Sequence, residues 1–479
     1  MASVDQTSPP RRSLKRFGKD LAKRPLRYLL ARNTSTVELP LSTWRLARDA
    51  DHELVLDGVK LGGLVARWGS PLYVADRTRL ADNAARFLAV PPGATKGCEA
   101  YASYKTNPVP GVLRAQHECG FGAEVVSHYE LWLALRLGID PALIVFNGPG
   151  KSDESLADAL RAGVGLINVN SRSEIPRLAA MARKLGKRQR VGVRVVAPGL
   201  FGGQFGERID NGSAFAAFDE CLAAPELQVV ALHAHSNHLI TRDGDVDVML
   251  AGVLGLADDL KARRGLELEI LDLGGNLACA TTGRTPPTSR RLAAALARYP
   301  RPVTPFLSID DYVKRVVTRI EAHYAAAGRP RPRIFLEPGR SATANAQMLL
   351  TTALEVRQGE GSEQGWVVLD AGMNVAEPLL SEWHQLYAIK HPAGAPEANY
   401  RLVGPSCSHS DLLYPAWWLP RLSAGDTLAI MDAGAYFVPY ATDFSRPRPG
   451  VVMIDQGREV QVRRAGTFDD VIARDLVEP

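Results

Sequence analysis

The sequence predicts an α/β fold, an eight-stranded β/α (TIM-like) barrel followed by a mainly β C-terminal domain. Three observations carry this reading. From about residue 98, short β-type runs alternate with amphipathic helical stretches, and eight such units precede residue 340. After Arg340 the pattern changes to closely spaced β-like runs separated by Gly, Pro and Ser clusters. A length of 479 residues holds a full barrel and one further domain, each with an ample core.

Taken in chain order, residues 1–45 form a basic extension. Between residues 11 and 32 it carries Arg11, Arg12, Lys15, Arg16, Lys19, Lys23, Arg24, Arg27 and Arg32 against Asp20, which accounts for the net charge of +5. The twin arginine has no apolar stretch behind it, so an export signal is not expected. The segment reads as a solvated tail of unknown partner, or as an arm for an anionic surface. Residues 46–74 are expected to supply strands to the β domain, with the run 53–57 (ELVLD) as the candidate. The barrel is expected over 75–340, with strands at 99–104, 122–126, 143–147, 165–169, 191–196, 228–235, 268–273 and 333–337. Amphipathic stretches at 129–137, 173–185 and 310–327 fit the intervening helices. The runs 366–370, 427–431 and 450–454 mark the β domain, expected over 341–479.

Hydrophobic content of 46% and charged content of 23% are those of a soluble globular protein, and no run approaches the roughly 18 apolar residues of a membrane helix. Neither a membrane nor a nucleic-acid partner is expected. Five scattered cysteines without CxxC spacing indicate no disulfide framework and no metal site, and point to a reducing, cytoplasmic setting.

In such a barrel, chemistry collects where strands end and the following loops begin. Lys105, Ser127, Asn147, Asn170, Arg194, His235, Gly274 with Gly275, and Glu337 with Arg340 occupy those positions. A lysine there is a Schiff-base candidate, because burial lowers its pKa and frees the amine lone pair. For any lysine taken alone, a surface role is commoner. Tandem glycines let backbone N–H groups approach a phosphate, though a Gly-Gly turn alone is weak evidence. The Glu337-Pro338-Gly339-Arg340 turn offers a carboxylate and a guanidinium, which could serve a ring nitrogen and a phosphate; otherwise it is a structural ion pair. An isolated strand-end histidine such as His235 is more often a hydrogen-bonded core residue. Together, the four features specify one cofactor, pyridoxal 5'-phosphate.

Tyr104-Lys105-Thr106-Asn107, His235, Gly274-Gly275, Glu337-Pro338-Gly339-Arg340, Gly404-Pro405-Ser406-Cys407 and Gly434-Ala435-Tyr436 occur in family order. Asn147-Gly148, Gln204-Phe205-Gly206 and Asp370-Ala371-Gly372-Met373-Asn374 are in register with them. From about residue 52 to 475 the chain resembles the diaminopimelate and ornithine decarboxylases, fold type III pyridoxal-phosphate enzymes, nearest the diaminopimelate decarboxylase side. The resemblance implies a barrel and β domain assembled as a head-to-tail homodimer with shared active sites. It implies that Lys105 holds the cofactor as a Schiff base and that His235 stacks on its ring. Gly274, Gly275, Asn276, Arg340 and Tyr436 then surround the phosphate. Glu337 keeps the pyridine nitrogen protonated, and Cys407 from the partner subunit returns a proton to Cα. Outside its motif, Cys407 would read as an inert cysteine.

The sequence departs from the family in two places. His235-Ser236-Asn237-His238 and Gly274-Gly275-Asn276 replace the usual His-x-Gly-Ser and three glycines near the phosphate. His238 and the Asn276 backbone are both expected still to donate hydrogen bonds. More consequentially, Glu377-Pro378-Leu379-Leu380-Ser381 stands where diaminopimelate decarboxylases commonly have Arg-Pro-x-x-Tyr. The acidic residue usually following the cysteine is Ser408, while Asp411 is retained. With Arg340, Glu377, Glu382, Ser408 and Asp411 as the substrate-side set, the expected substrate is an amino acid with a cationic or neutral distal end. If the two glutamates face solvent instead, that expectation falls. The alternatives are an ordinary diaminopimelate decarboxylase, a decarboxylase of a modified or carrier-tethered amino acid in specialised metabolism, and a non-catalytic cofactor-binding homologue.

Overall fold

The computed structural model describes residues 34–35, 37–198, 203–236, 238–303, 305–360, 363–395 and 397–476, so most of the basic extension lies outside the described residues. Eight parallel strands close into a barrel: Glu99–Ser103, Gly122–Val125, Ile144–Phe146, Leu166–Val169, Gln189–Val196, Leu227–Ala234, Ile270–Asp272 and Arg333–Leu336. Closure is made by the last strand pairing with the first, Phe335 opposite Glu99 and Leu336 opposite Ala100. Each expected barrel run overlaps one of these strands, the fifth strand beginning two residues and the sixth one residue earlier than expected.

Because side chains alternate along a strand, every second residue faces the barrel interior, and these residues stack in layers. The lower layer is apolar, with Tyr101, Val145, Leu166, Ala231, Ile270 and Phe335 packed in one cluster. Tyr101 and Phe335 bring their ring centroids within 4.6 Å. Two residues further on, the same strands carry Ser103, Asn147, Asn168, His233, Asp272 and Glu337, all buried. The interior is thus sealed below and polar above, at the end where the connecting loops open. Helices Asp243–Arg264 and Ile309–Ala326 pack outside, burying Val253, Leu256, Leu260, Val313, Val317 and Ile320 in the main core.

The β domain is built on the long strand Gln347–Arg357, which pairs antiparallel with Gly365–Leu369, Thr427–Ile430 and Leu72–Asp76. Leu72–Asp76 also pairs parallel with Gly450–Asp455. An N-terminal strand therefore does join this sheet, but it is not the run 53–57. Leu54–Leu56 pairs with Leu46–Arg48 and Val59–Lys60 in a separate three-stranded sheet, which packs Leu54 and Leu56 against Met348, Leu350 and Ile389 of the larger domain and meets it in a β-bridge at Glu53 and Lys390. The reason lies in burial: all five residues of Leu72–Asp76 are buried, as an interior strand requires. No helix among the described residues is long and apolar enough to cross a membrane.

Candidate active site

A cavity of about 740 Å³ opens at the C-terminal end of the barrel, lined by residues of both domains, including Lys105, His235, Asn276, Glu337, Arg340, Glu377, Glu382 and Tyr436. Lys105 sits in the short turn Tyr104–Thr106 directly after the first strand, its Nζ donating to Glu124 Oε2 at 2.7 Å. Its charge state differs from the sequence expectation. Burial does work against the ammonium, but Glu124 and Glu337 outweigh it, and Lys105 is held above the ordinary lysine range.

Glu124, on the second strand, also accepts from Ser103 Oγ at 2.6 Å and from Asn147 Nδ2 at 3.1 Å. The Asn147 amide continues to Glu337 Oε1 at 2.5 Å, and its Oδ1 accepts from Asn168 Nδ2, which also donates to Asp272 Oδ2 at 2.8 Å. Burial first, then Asp272 and Glu124, push the Glu337 carboxyl well above the usual range. Glu124, Asn168, His233 and Asp272 were not among the residues singled out from sequence. The available signal was period 2: Asn168 precedes Asn170, and His233 precedes His235, by two positions on the same strand face.

His235 is a neutral imidazole, pushed down to about 3 by burial, Arg194 and Lys105. A Cβ at Gly274 would lie 2.6 Å from the His235 ring, and one at Gly275 would lie 2.4 Å from the Glu337 carbonyl oxygen, so both positions require glycine. Asn276 takes the left-handed conformation (φ 78°) that a third glycine would adopt freely, and asparagine tolerates it. Its Nδ2 braces the neighbouring loop by donating to Ser236 O and His238 O at 2.7 and 3.0 Å. His238 itself is exposed and does not line the cavity, contrary to the donor role expected of it.

Arg340 forms a two-pronged ion pair with Glu382, at 2.6 and 2.7 Å, and lies over the Tyr436 ring at 5.1 Å. Burial opposes the Glu382 charge, yet His384 and Arg340 hold its carboxyl down to about 2. Glu382, expected on the substrate side, does line the cavity, but there it is paired with Arg340. Glu377 lines the cavity with no ion-pair partner among the described residues, its pKa raised by burial and by Glu382. Cys407 is exposed, and Cys407, Ser408 and Asp411 do not line this cavity. Asp411 is 2% exposed and holds the loop together, accepting from the N–H groups of Met373 and Ser406 at 2.7 and 3.0 Å. Its carboxylate organises the Cys407 loop.

Residues 89–344 match the family described as pyridoxal-dependent decarboxylase, pyridoxal binding domain. The chain belongs to this family. Diaminopimelate decarboxylases of Pseudomonas aeruginosa and Zymomonas mobilis are 31% and 29% identical to it, covering 90% and 88% of this chain and 98% and 96% of theirs. The crystal structure of the M. jannaschii diaminopimelate decarboxylase with L-lysine matches at a TM-score of 0.81 and 26% identity, over 91% of this chain and 98% of that one. A lysine/ornithine decarboxylase of Vibrio vulnificus, 22% identical with a TM-score of 0.66 over 82% of this chain and 97% of that one, shares the fold. The protein is a pyridoxal-phosphate-dependent amino-acid decarboxylase, a carboxy-lyase. The cavity fits the cofactor: His235, whose buried Nδ1 has no partner among the described residues, lines it together with Lys105, Asn276, Glu337, Arg340 and Tyr436.

Proposed function

We propose that this decarboxylase acts on an amino acid whose distal end is cationic or neutral, such as lysine, ornithine or a modified or tethered amino acid, in preference to diaminopimelate. The observation that carries this is Glu377, an unpaired carboxylate on the cavity wall where diaminopimelate decarboxylases commonly place an arginine. A second substrate carboxylate would meet like charge there, and Arg340 cannot compensate while Glu382 neutralises it. The second reading, diaminopimelate itself, is favoured by the activity named for the relatives and by Arg284, an exposed cation on the cavity rim.

Pyridoxal phosphate, once bound, draws the electron pair left at Cα by departing CO₂ into its ring. The chain's part is placement and proton control. Lys105 would hold the cofactor covalently, and the neutral His235 ring would lie against its ring. Backbone N–H groups at Gly275 and Asn276, with Tyr436 and Arg340, would receive the phosphate, the Gly274 N–H being taken by Asp272. Glu337 accepts a hydrogen bond from the ring nitrogen. Cys407, exposed and outside its own chain's cavity, reaches the neighbouring site in a homodimer and supplies the proton that replaces CO₂ on Cα. A cytoplasmic setting keeps that thiol reduced.

The deciding experiment is a panel of meso-diaminopimelate, lysine, ornithine, arginine and glutamate, followed by CO₂ release and product mass. Turnover of a substrate with a cationic or neutral distal end, weakened by Glu377→Arg, is expected. Discrimination for meso-diaminopimelate over lysine and ornithine would overturn the proposal in favour of the second reading.

A further inference from the structure

The polar layer of the barrel contains more acid than base. Glu124, Asp272 and Glu337 are 1%, 0% and 3% exposed, and the cations beside them are Lys105 and Arg194. His233 adds no charge, because burial and then Arg194 push it well below the ordinary histidine range. Its Nε2 lies 3.7 Å from Glu337 Oε2. An uncompensated charge in such a place is costly, so the layer keeps one proton when it stands alone. That proton belongs to the Asp272–Glu337 pair, which with His233 bring a ligand atom each within 4.8 Å of one another. Burial also holds Asp272 up to about 6 and raises Glu337 well above the ordinary carboxylate range.

Asp272 is firmly placed. Its Oδ1 accepts from the Gly274 N–H at 3.1 Å and its Oδ2 from Asn168 Nδ2 at 2.8 Å, tying the glycine turn to the barrel floor. It is not one of the cavity-lining residues, so it does not touch the substrate.

We propose that Asp272 is a positioning residue for the cofactor's ring nitrogen: as the third carboxylate of the layer, it makes a protonated ring nitrogen the cation that brings the barrel floor to neutrality. The inference rests on the reading that Glu337 faces that nitrogen. The proton held between Asp272 and Glu337 in the apoprotein would pass to the ring nitrogen when the cofactor binds, leaving both carboxyls ionised, so none need enter from solvent. Three carboxylates then stand against Lys105 or its Schiff base, Arg194 and the pyridinium. With Asp272 replaced by a neutral amide, the floor is already balanced and the ring nitrogen loses its proton more readily.

The test uses holoenzyme carrying cofactor labelled with ¹⁵N in the ring, comparing wild type with Asp272→Asn and Glu337→Gln across neutral and mildly alkaline pH. Asp272→Asn is expected to bind cofactor stoichiometrically, yet to show the neutral-pyridine resonance at a pH where wild type shows pyridinium. Its kcat should fall by about tenfold or more with KM within about twofold, the pattern of a lost transition-state effect. A shift in Glu337→Gln with none in Asp272→Asn defeats the role of Asp272 alone. No shift in either variant defeats the placement of Glu337 as well. Should Asp272→Asn fail to fold, wild-type infrared spectra decide: a protonated-carboxyl band in apoprotein that vanishes on cofactor loading is expected, and its absence from apoprotein overturns the proposal.

Discussion

Lys105 was identifiable from sequence by its place after a strand, but its charge was not. A lysine read alone at a barrel mouth suggests desolvation and a lowered pKa. The structure places Glu124 2.7 Å from the ammonium, with Glu337 behind it, and the balance reverses. Because attack on the cofactor aldehyde needs the neutral amine, this pairing slows loading at neutral pH. Glu124→Gln removes the nearer carboxylate, leaves burial as the dominant influence, and lowers the Lys105 pKa. Apoprotein of that variant should therefore combine with pyridoxal phosphate faster than wild type at neutral pH, with the rise of rate with pH displaced to lower pH. Stopped-flow absorbance measures this directly. An unchanged pH profile would show that Glu124 does not govern the charge of Lys105. Glu124 escaped the sequence reading because it lies within its strand and not at the strand end where candidates were sought; period 2 along the strand was the available signal.

At the scale of elements, the barrel strands were recoverable because each is a short apolar run bounded by turn residues. The N-terminal strand of the β domain was harder. Both 53–57 and 72–76 read as β, and the choice between them depends on partners hundreds of residues away, Gln347–Arg357 and Gly450–Asp455. The same holds for Glu382, whose partner Arg340 opens the short helix Arg340–Thr343, and whose two-residue strand Glu382–Trp383 pairs with Gly283–Arg284 across the cavity. This clasp carries a pH signature. The Glu382 carboxyl is held down to about 2 in the folded protein, below its unfolded value. Its stabilisation is therefore complete above the ordinary glutamate range and is lost as pH falls from that range towards 2. Since the pair is largely buried, the contribution is of the order of a few kcal/mol. Glu382→Gln should be less stable than wild type at neutral pH, with the two urea midpoints converging as the medium is acidified. Parallel midpoints over the whole acid range would mean that the ion pair is not what joins these loops.

At the scale of the whole molecule, one chain does not bring all the candidate residues together. Lys105, His235, Glu337, Arg340 and Tyr436 converge on one cavity, whereas Cys407 stands exposed on a loop organised by Asp411. The Gly404-Pro405-Ser406-Cys407 motif was visible in sequence, but its distance from the cavity was not, because motif order carries no information about which chain completes a site. Tight organisation of an exposed loop makes sense if it docks elsewhere: Gly404 is packed so closely that a Cβ would lie 2.3 Å from the Asp411 carboxylate. If the chain assembles as the proposed head-to-tail homodimer, each site would take Lys105 from one subunit and Cys407 from the other. Lys105→Ala and Cys407→Ala should each be severely impaired alone. When the two are unfolded and refolded together, half the dimers are mixed, and each mixed dimer contains one site with both wild-type residues. Activity should therefore return to about a quarter of the wild-type value at equal mixing. If each chain instead completed its own site, every site in every combination would lack one residue, and mixing would restore nothing.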